Sequence, residues 1–169
     1  MDQQDRRRDV RYETLAEFRE DAERLAGADC RSMGQWTAGQ VFDHLARSLN
    51  GSLDGYGFRA NWFLRTLLAP IMKNSFLTRP MKPGFRLPRR AVEMVPDPEL
   101  SAASGLDRLR DALDRLGAET PTARHPFLGL LTSEEWTALH LRHAELHMSF
   151  IWPVEAPPGL AEPQSPAGK

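Results

Sequence analysis

Three of the five histidines in the chain, His140, His143 and His147, fall within one short stretch, Leu139 to Phe150. At helical pitch they lie within roughly 60° of one another, on the stripe that also carries Trp136 and Ile151. The stripe is expected to face the core, with Glu135, Arg142 and Glu145 pointing away. Packing imidazoles side by side away from water is costly unless each ring nitrogen finds a partner, and protonating them together sets like charges against each other. A divalent cation removes both difficulties. His143 and His147 are four residues apart, the spacing at which two imidazoles on one helix reach a single ion. The competing reading is that these are core or interface histidines bonded to carbonyls or water. A metal needs a further ligand from another element. His44 is the candidate, because His125 sits in a Pro-flanked loop. On its own wheel His44 lies near the edge of the apolar face, aligned with Gln40, Ser48 and Gly51, a stripe that solvent could equally cover.

The elements that must position these residues read as helices. Thr14/Glu17, Thr37/Gln40, Ser104/Asp107 and Thr132/Glu135 each pair a hydroxyl with an acid or amide three positions on, the pattern of a capping box. Apolar residues follow at helical spacing: Leu15, Phe18, Ala22, Leu25; Val41, Leu45, Leu49, Tyr56; Leu106, Leu109, Leu113, Leu116; Trp136, Leu139, Ala144, Ile151. Gly27, Gly117 and Pro153 stand where three of these helices would stop. Arg59 to Pro98 is rich in proline and reads as a long crossover with a short helix around Trp62 to Ala69. The expected organisation is therefore all-α: a four-helix bundle over residues 11–153 with a long crossover between the second and third helices. Residues 1–10 are expected to be a flexible start and 154–169 a Pro-rich tail.

Composition narrows the functional classes. The chain has 169 residues, 41% of them hydrophobic, enough for one domain with a core. Its 22 basic and 23 acidic residues leave a formal charge of −1, so no global field draws it to nucleic acid or to a membrane. Cys30 is the only cysteine, which excludes an intrachain disulfide and suits a reducing cytoplasm. Met1 to Arg8 lacks the apolar run of a secretion signal. The most apolar stretch, Trp62 to Met72, is broken by Arg65 and Pro70 and is far shorter than the ~20 residues of a membrane span. A cytoplasmic protein without a membrane partner is expected.

The run Trp36-Thr-Ala-Gly-Gln-Val-Phe-Asp-His44-Leu, the long crossover and the late His143-x-x-x-His147 together resemble the DinB/YfiT-like superfamily, in a subfamily catalogued as a domain of unknown function. The likeness covers roughly residues 12 to 152. It implies a bacterial four-helix bundle holding a divalent metal, commonly nickel or zinc, on His44, His143 and His147; iron is a further option for such a histidine site. It also implies pairing into dimers and, for some members, chemistry with low-molecular-weight thiols such as bacillithiol, mycothiol or glutathione. Where the superfamily often continues with Arg-Gly-Gln after the last histidine, this chain has Met148-Ser149-Phe150. His140 is additional, as a partner of the ligands or as an alternative ligand.

Three functions follow. The first is a metal-dependent hydrolase or thiol transferase acting on a small molecule. Asp43, Asp54, Glu17, Glu20 and Tyr56 are the available proton acceptors, and Cys30 reads as structural. The second is a binding or structural bundle, in which Tyr56, Phe58, Trp62, Phe63, Leu64, Leu67 and Leu68 either pack within the monomer or form a homodimer seam. The third starts from Lys73 to Arg90, which has six basic residues and no acid. Without a recognition-helix motif this segment does not point to nucleic acid; Arg86, Arg89 and Arg90 are better read as binding the carboxylates of a thiol cofactor or anionic substrate.

Overall fold

The computed structural model describes residues 7–84, 89 and 91–154. Helix α1 runs over Leu15–Ala26, α2 over Ala38–Asp54, α3 over Ala69–Thr78, α4 over Ala102–Ala118 and α5 over Ser133–Met148. A two-stranded antiparallel ribbon, β1 at Cys30–Ser32 and β2 at Ile151–Pro153, joins the segment after α1 to the segment after α5. The all-helical expectation holds, with one helix more than the four capping signals announce.

The caps show which signals set the helix starts. Thr37 with Gln40 and Thr132 with Glu135 form complete capping boxes at the heads of α2 and α5. At α1 the Thr14 hydroxyl accepts from Glu17 N–H, but the Glu17 carboxylate accepts from Glu13 N–H, so the box is half made. The cap of α4 is Ser101, one turn before the expected Ser104, whose amide donates to the Ser101 hydroxyl. Starting there sets Gly105 against the backbone of Gly39, so α2 and α4 cross at two glycines with their chains nearly touching.

The additional helix is α3. Pro70, read from sequence as a break, occupies its first turn, at the junction with the π-helical segment before it. A single π-helical stretch, Leu64–Leu68, leads into it. At the other end, α5 stops at Met148 rather than running on toward Pro153, because the Ser149 hydroxyl donates to the Leu146 carbonyl and the following residues pair with β1. Gly117 lies inside the last turn of α4 instead of beyond it.

Phe18, Leu25, Phe42, Leu45, Leu49, Leu109 and Met148 are among the side chains of the main core, drawn from α1, α2, α4 and α5. A second cluster of Ala69, Leu128, Trp136 and Leu139 seats α3 against the first half of α5. Contrary to the single buried stripe read from sequence, Arg142 and Glu145 are also buried. Tyr12 covers them: its amide donates to Glu145 Oε1 at 2.8 Å, its carbonyl accepts from Arg142 Nη2 at 2.6 Å, and the two side chains pair at 2.8 Å. Arg8 extends the same seam through its amide bond to the Ser149 carbonyl and its salt bridge to Asp21.

Candidate metal centre

His44 sits mid-way along α2 and His143 and His147 near the end of α5, and one nitrogen from each ring falls within 4.8 Å of the others. His44 is buried, which decides the question its edge position on the helix left open. Its Nδ1 lies 2.8 Å from the Met94 carbonyl oxygen, which can only accept, so Nδ1 carries the proton. The Nε2 lone pair is thereby left free, facing His143 Nε2 at 3.2 Å. A carbonyl fixing the tautomer of a ligating imidazole is a recurrent support of metal sites. Trp36 lies parallel to the His147 ring at 5.5 Å and tilts over His44 at 4.7 Å, walling one side.

Met94 belongs to a 3-10 turn, Val92–Met94, in the crossover, and α2 holds that crossover in place. Buried Asp43 accepts from Arg47, from Arg108 and from the Asp97 amide, while Arg47 also donates to the Glu93 carbonyl. Burial pushes the Asp43 carboxyl up, but the bonds from Arg108 and Arg47 and the Asp97 amide outweigh it and hold the group below its usual range. Gln40, already used in the capping box, donates to the Asp97 and Pro98 carbonyls. The helix that carries His44 therefore also places the acceptor that orients it.

Electrostatically the rings are neutral. Burial lowers His44, takes His147 down to about 3, and pushes His143 well below the ordinary range, aided by His147, His44, His140 and His125 around it. A charge on any of the other four histidines would therefore bear on His143, although only three share a ligating geometry.

The other two have different surroundings. His140 is buried with its ring parallel to Trp136 at 5.3 Å, and neither its Nε2 nor Trp136 Nε1 has a hydrogen-bond partner. His125, set aside on sequence grounds, has Nδ1 accepting from the Leu128 and Phe127 amides at 2.9 and 3.2 Å. Burial takes it down to about 4, so the neutral ring carries its proton on Nε2 and is a donor rather than a ligand. Its loop is closed by paired backbone bonds with Gly129, whose φ of 79° suits glycine. Apart from Gly129 itself, nothing in the Pro-flanked sequence marks that closure.

No Asp or Glu joins the histidines in a candidate metal-holding group among the described residues. Asp54 is engaged by Arg115, Glu17 by the Glu13 amide, the Tyr56 hydroxyl donates to the Ser48 carbonyl, and Glu20 is exposed on the outside of α1. Cys30 donates to the Leu25 carbonyl, and burial raises its thiol, which fits a structural role. Arg89 is exposed, while Arg86 and Arg90 lie outside the described residues.

Three neutral imidazoles from two helices, one with its tautomer fixed by the backbone and none accompanied by a carboxylate, suit a divalent cation of the zinc or nickel kind. The molecule is in this sense a helical bundle with a candidate three-histidine metal centre. The chain belongs to the family described as "Protein of unknown function (DUF1569)", whose model matches residues 4–154. No curated protein and no solved structure matches it.

Proposed function

We propose that this protein is a cytoplasmic, divalent-metal-dependent enzyme that activates a small nucleophile, a low-molecular-weight thiol foremost and water second, for transfer to or hydrolysis of a small molecule. The observation that carries the reading is the convergence of His44, His143 and His147 with His44 Nδ1 committed to the Met94 carbonyl. A divalent cation held there by uncharged rings keeps its full charge and supplies Lewis acidity that lowers the pKa of a bound thiol or water. The resemblance to DinB/YfiT-like bundles supports nickel or zinc and the same three ligands, and iron is a further option for such a histidine site.

The chain's own residues favour the thiol. A general base is needed chiefly when the proton is hard to remove, and no carboxylate accompanies the three histidines among the described residues. A thiol, with an ordinary pKa of about 8.5, needs only a modest lowering by the bound cation to lose its proton near neutrality without one. Trp36 shields His44 and His147. His140 is assigned a supporting rather than a ligating role, because it does not fall in the group formed by the other three rings. Arg86, Arg89 and Arg90 are assigned to the carboxylates of the thiol or substrate.

Titrating nickel-loaded protein with glutathione and with cysteine tests this reading. A thiolate-to-nickel charge-transfer band that saturates, and that His147→Ala abolishes, is expected. Protein that holds nickel but shows neither this band nor hydrolysis of a nitrophenyl ester would make the metal structural and overturn the enzymatic reading.

A further inference from the structure

The helical stretch that begins at Trp62 and continues through α3 packs Ala69, Phe76 and Leu77 inward, yet leaves most of its large apolar side chains outside. Its inward positions include Ala69, which is buried, and Lys73, which pairs with Glu135 at 2.7 Å. Its outward positions are mostly apolar in the first half: Trp62, Phe63, Leu64, Leu67, Ile71 and Met72 are all exposed, Trp62 by 71% and Ile71 by 78%, with Thr66 the exposed polar residue among them. A helix normally turns its charges outward, so a cluster of large apolar side chains on the solvent side marks a surface that something covers.

The surrounding charge selects the occupant. Between Asp54 and Glu93 the sequence has no acidic residue and eight basic ones. Arg59 before the helix and Arg79 and Lys82 after it are exposed, so both ends of the apolar face carry positive charge. A second copy of the chain fits poorly, because a two-fold interface sets a patch against itself and would oppose these cations with no acid nearby to pair them. The exposed apolar side chains also lie along a single helical stretch, which suits a flat surface better than a peptide. Bulky apolar and aromatic side chains flanked by Arg and Lys on such a stretch match a bilayer surface containing anionic lipid.

We infer that the Trp62–Met72 face docks the protein, in the plane of the interface, onto membranes bearing anionic phospholipid. This does not require a membrane span, and no helix among the described residues is long and apolar enough to form one. The sequence expectation of no membrane partner rested on net charge and span length, both of which average over a local face.

Co-sedimentation of the full chain with vesicles tests the inference. Phosphatidylcholine vesicles containing about one third phosphatidylglycerol are expected to bind about tenfold more protein than phosphatidylcholine alone, with binding falling at high salt. The Trp62→Glu/Ile71→Glu variant should lose binding and Arg79→Glu/Lys82→Glu should weaken it. Both should keep wild-type helicity by circular dichroism, because the altered side chains are exposed. Equal binding to both vesicle types, or none to either, would overturn the inference. A dimer in sedimentation velocity that Trp62→Glu/Ile71→Glu dissociates, without vesicle binding, would assign the face to a second copy instead.

Discussion

His44 shows how one side chain joins two parts of the site, since Nδ1 is spent on the Met94 carbonyl and Nε2 is turned toward His143. His140 provides the contrast: buried, parallel to Trp136, and with Nε2 unpartnered. His140→Phe keeps the stacking and removes the orphan nitrogen, so it should retain bound metal. It should leave stability unchanged or raise it by about 1 kcal/mol, as read by urea denaturation of the metal-free protein. Loss of metal from that variant would instead make His140 a ligand. Among the site residues, His143 and His147 were legible from spacing, because four residues is a local geometric rule. His44 was not legible from its wheel alone, since its burial comes from a distant crossover packing on α2. His125 was illegible because a loop closed by its own backbone leaves no periodic trace.

The elements were readable where a local rule governs them and opaque where a tertiary contact does. Complete capping boxes at α2 and α5 follow from sequence, and Thr132→Ala should lower stability by about 1 kcal/mol through loss of the bond to Glu135 N–H. The start of α4 does not follow from capping signals, because the crossing with α2 at Gly39 and Gly105 is what favours it. A Cβ at Gly105 would press into the Gly39 carbonyl oxygen, and one at Gly39 into the Leu100 and Ser101 carbonyl oxygens. Gly105→Ala should therefore destabilise by about 1–3 kcal/mol despite its better helix propensity, a result that differential denaturation against wild type would read. Likewise α5 was taken to bury one stripe, whereas the Tyr12 segment covers a second and buries Arg142 with Glu145. Removing one partner, as in Arg142→Ala, should cost about 3 kcal/mol because Glu145 would remain buried with only the Tyr12 amide and a longer 3.7 Å contact from Arg11 to hold its charge.

Across the whole molecule, five histidines held neutral tie folding to pH. His125 falls from 6.5 to about 4 and His140 and His147 to about 3, so between those values and 6.5 the unfolded chain binds protons that the native state refuses. Stability is then complete above pH 6.5 and declines as pH falls. At pH 5 the penalty is on the order of 2 kcal/mol for each such ring. The urea midpoint of metal-free protein should drop clearly between pH 7.5 and 5, and a flat profile would mean these rings are charged or solvated. A bound cation competes with those protons and should hold the midpoint up toward lower pH. The most direct test of the three-histidine centre is metal content by elemental mass spectrometry. It would use untagged protein purified without chelator, comparing wild type with His143→Ala/His147→Ala. Near-stoichiometric nickel, zinc or iron in the wild type and its loss in a variant that keeps its helical content is the expected result. Wild-type protein that carries no metal and takes up neither added nickel nor added zinc would contradict it.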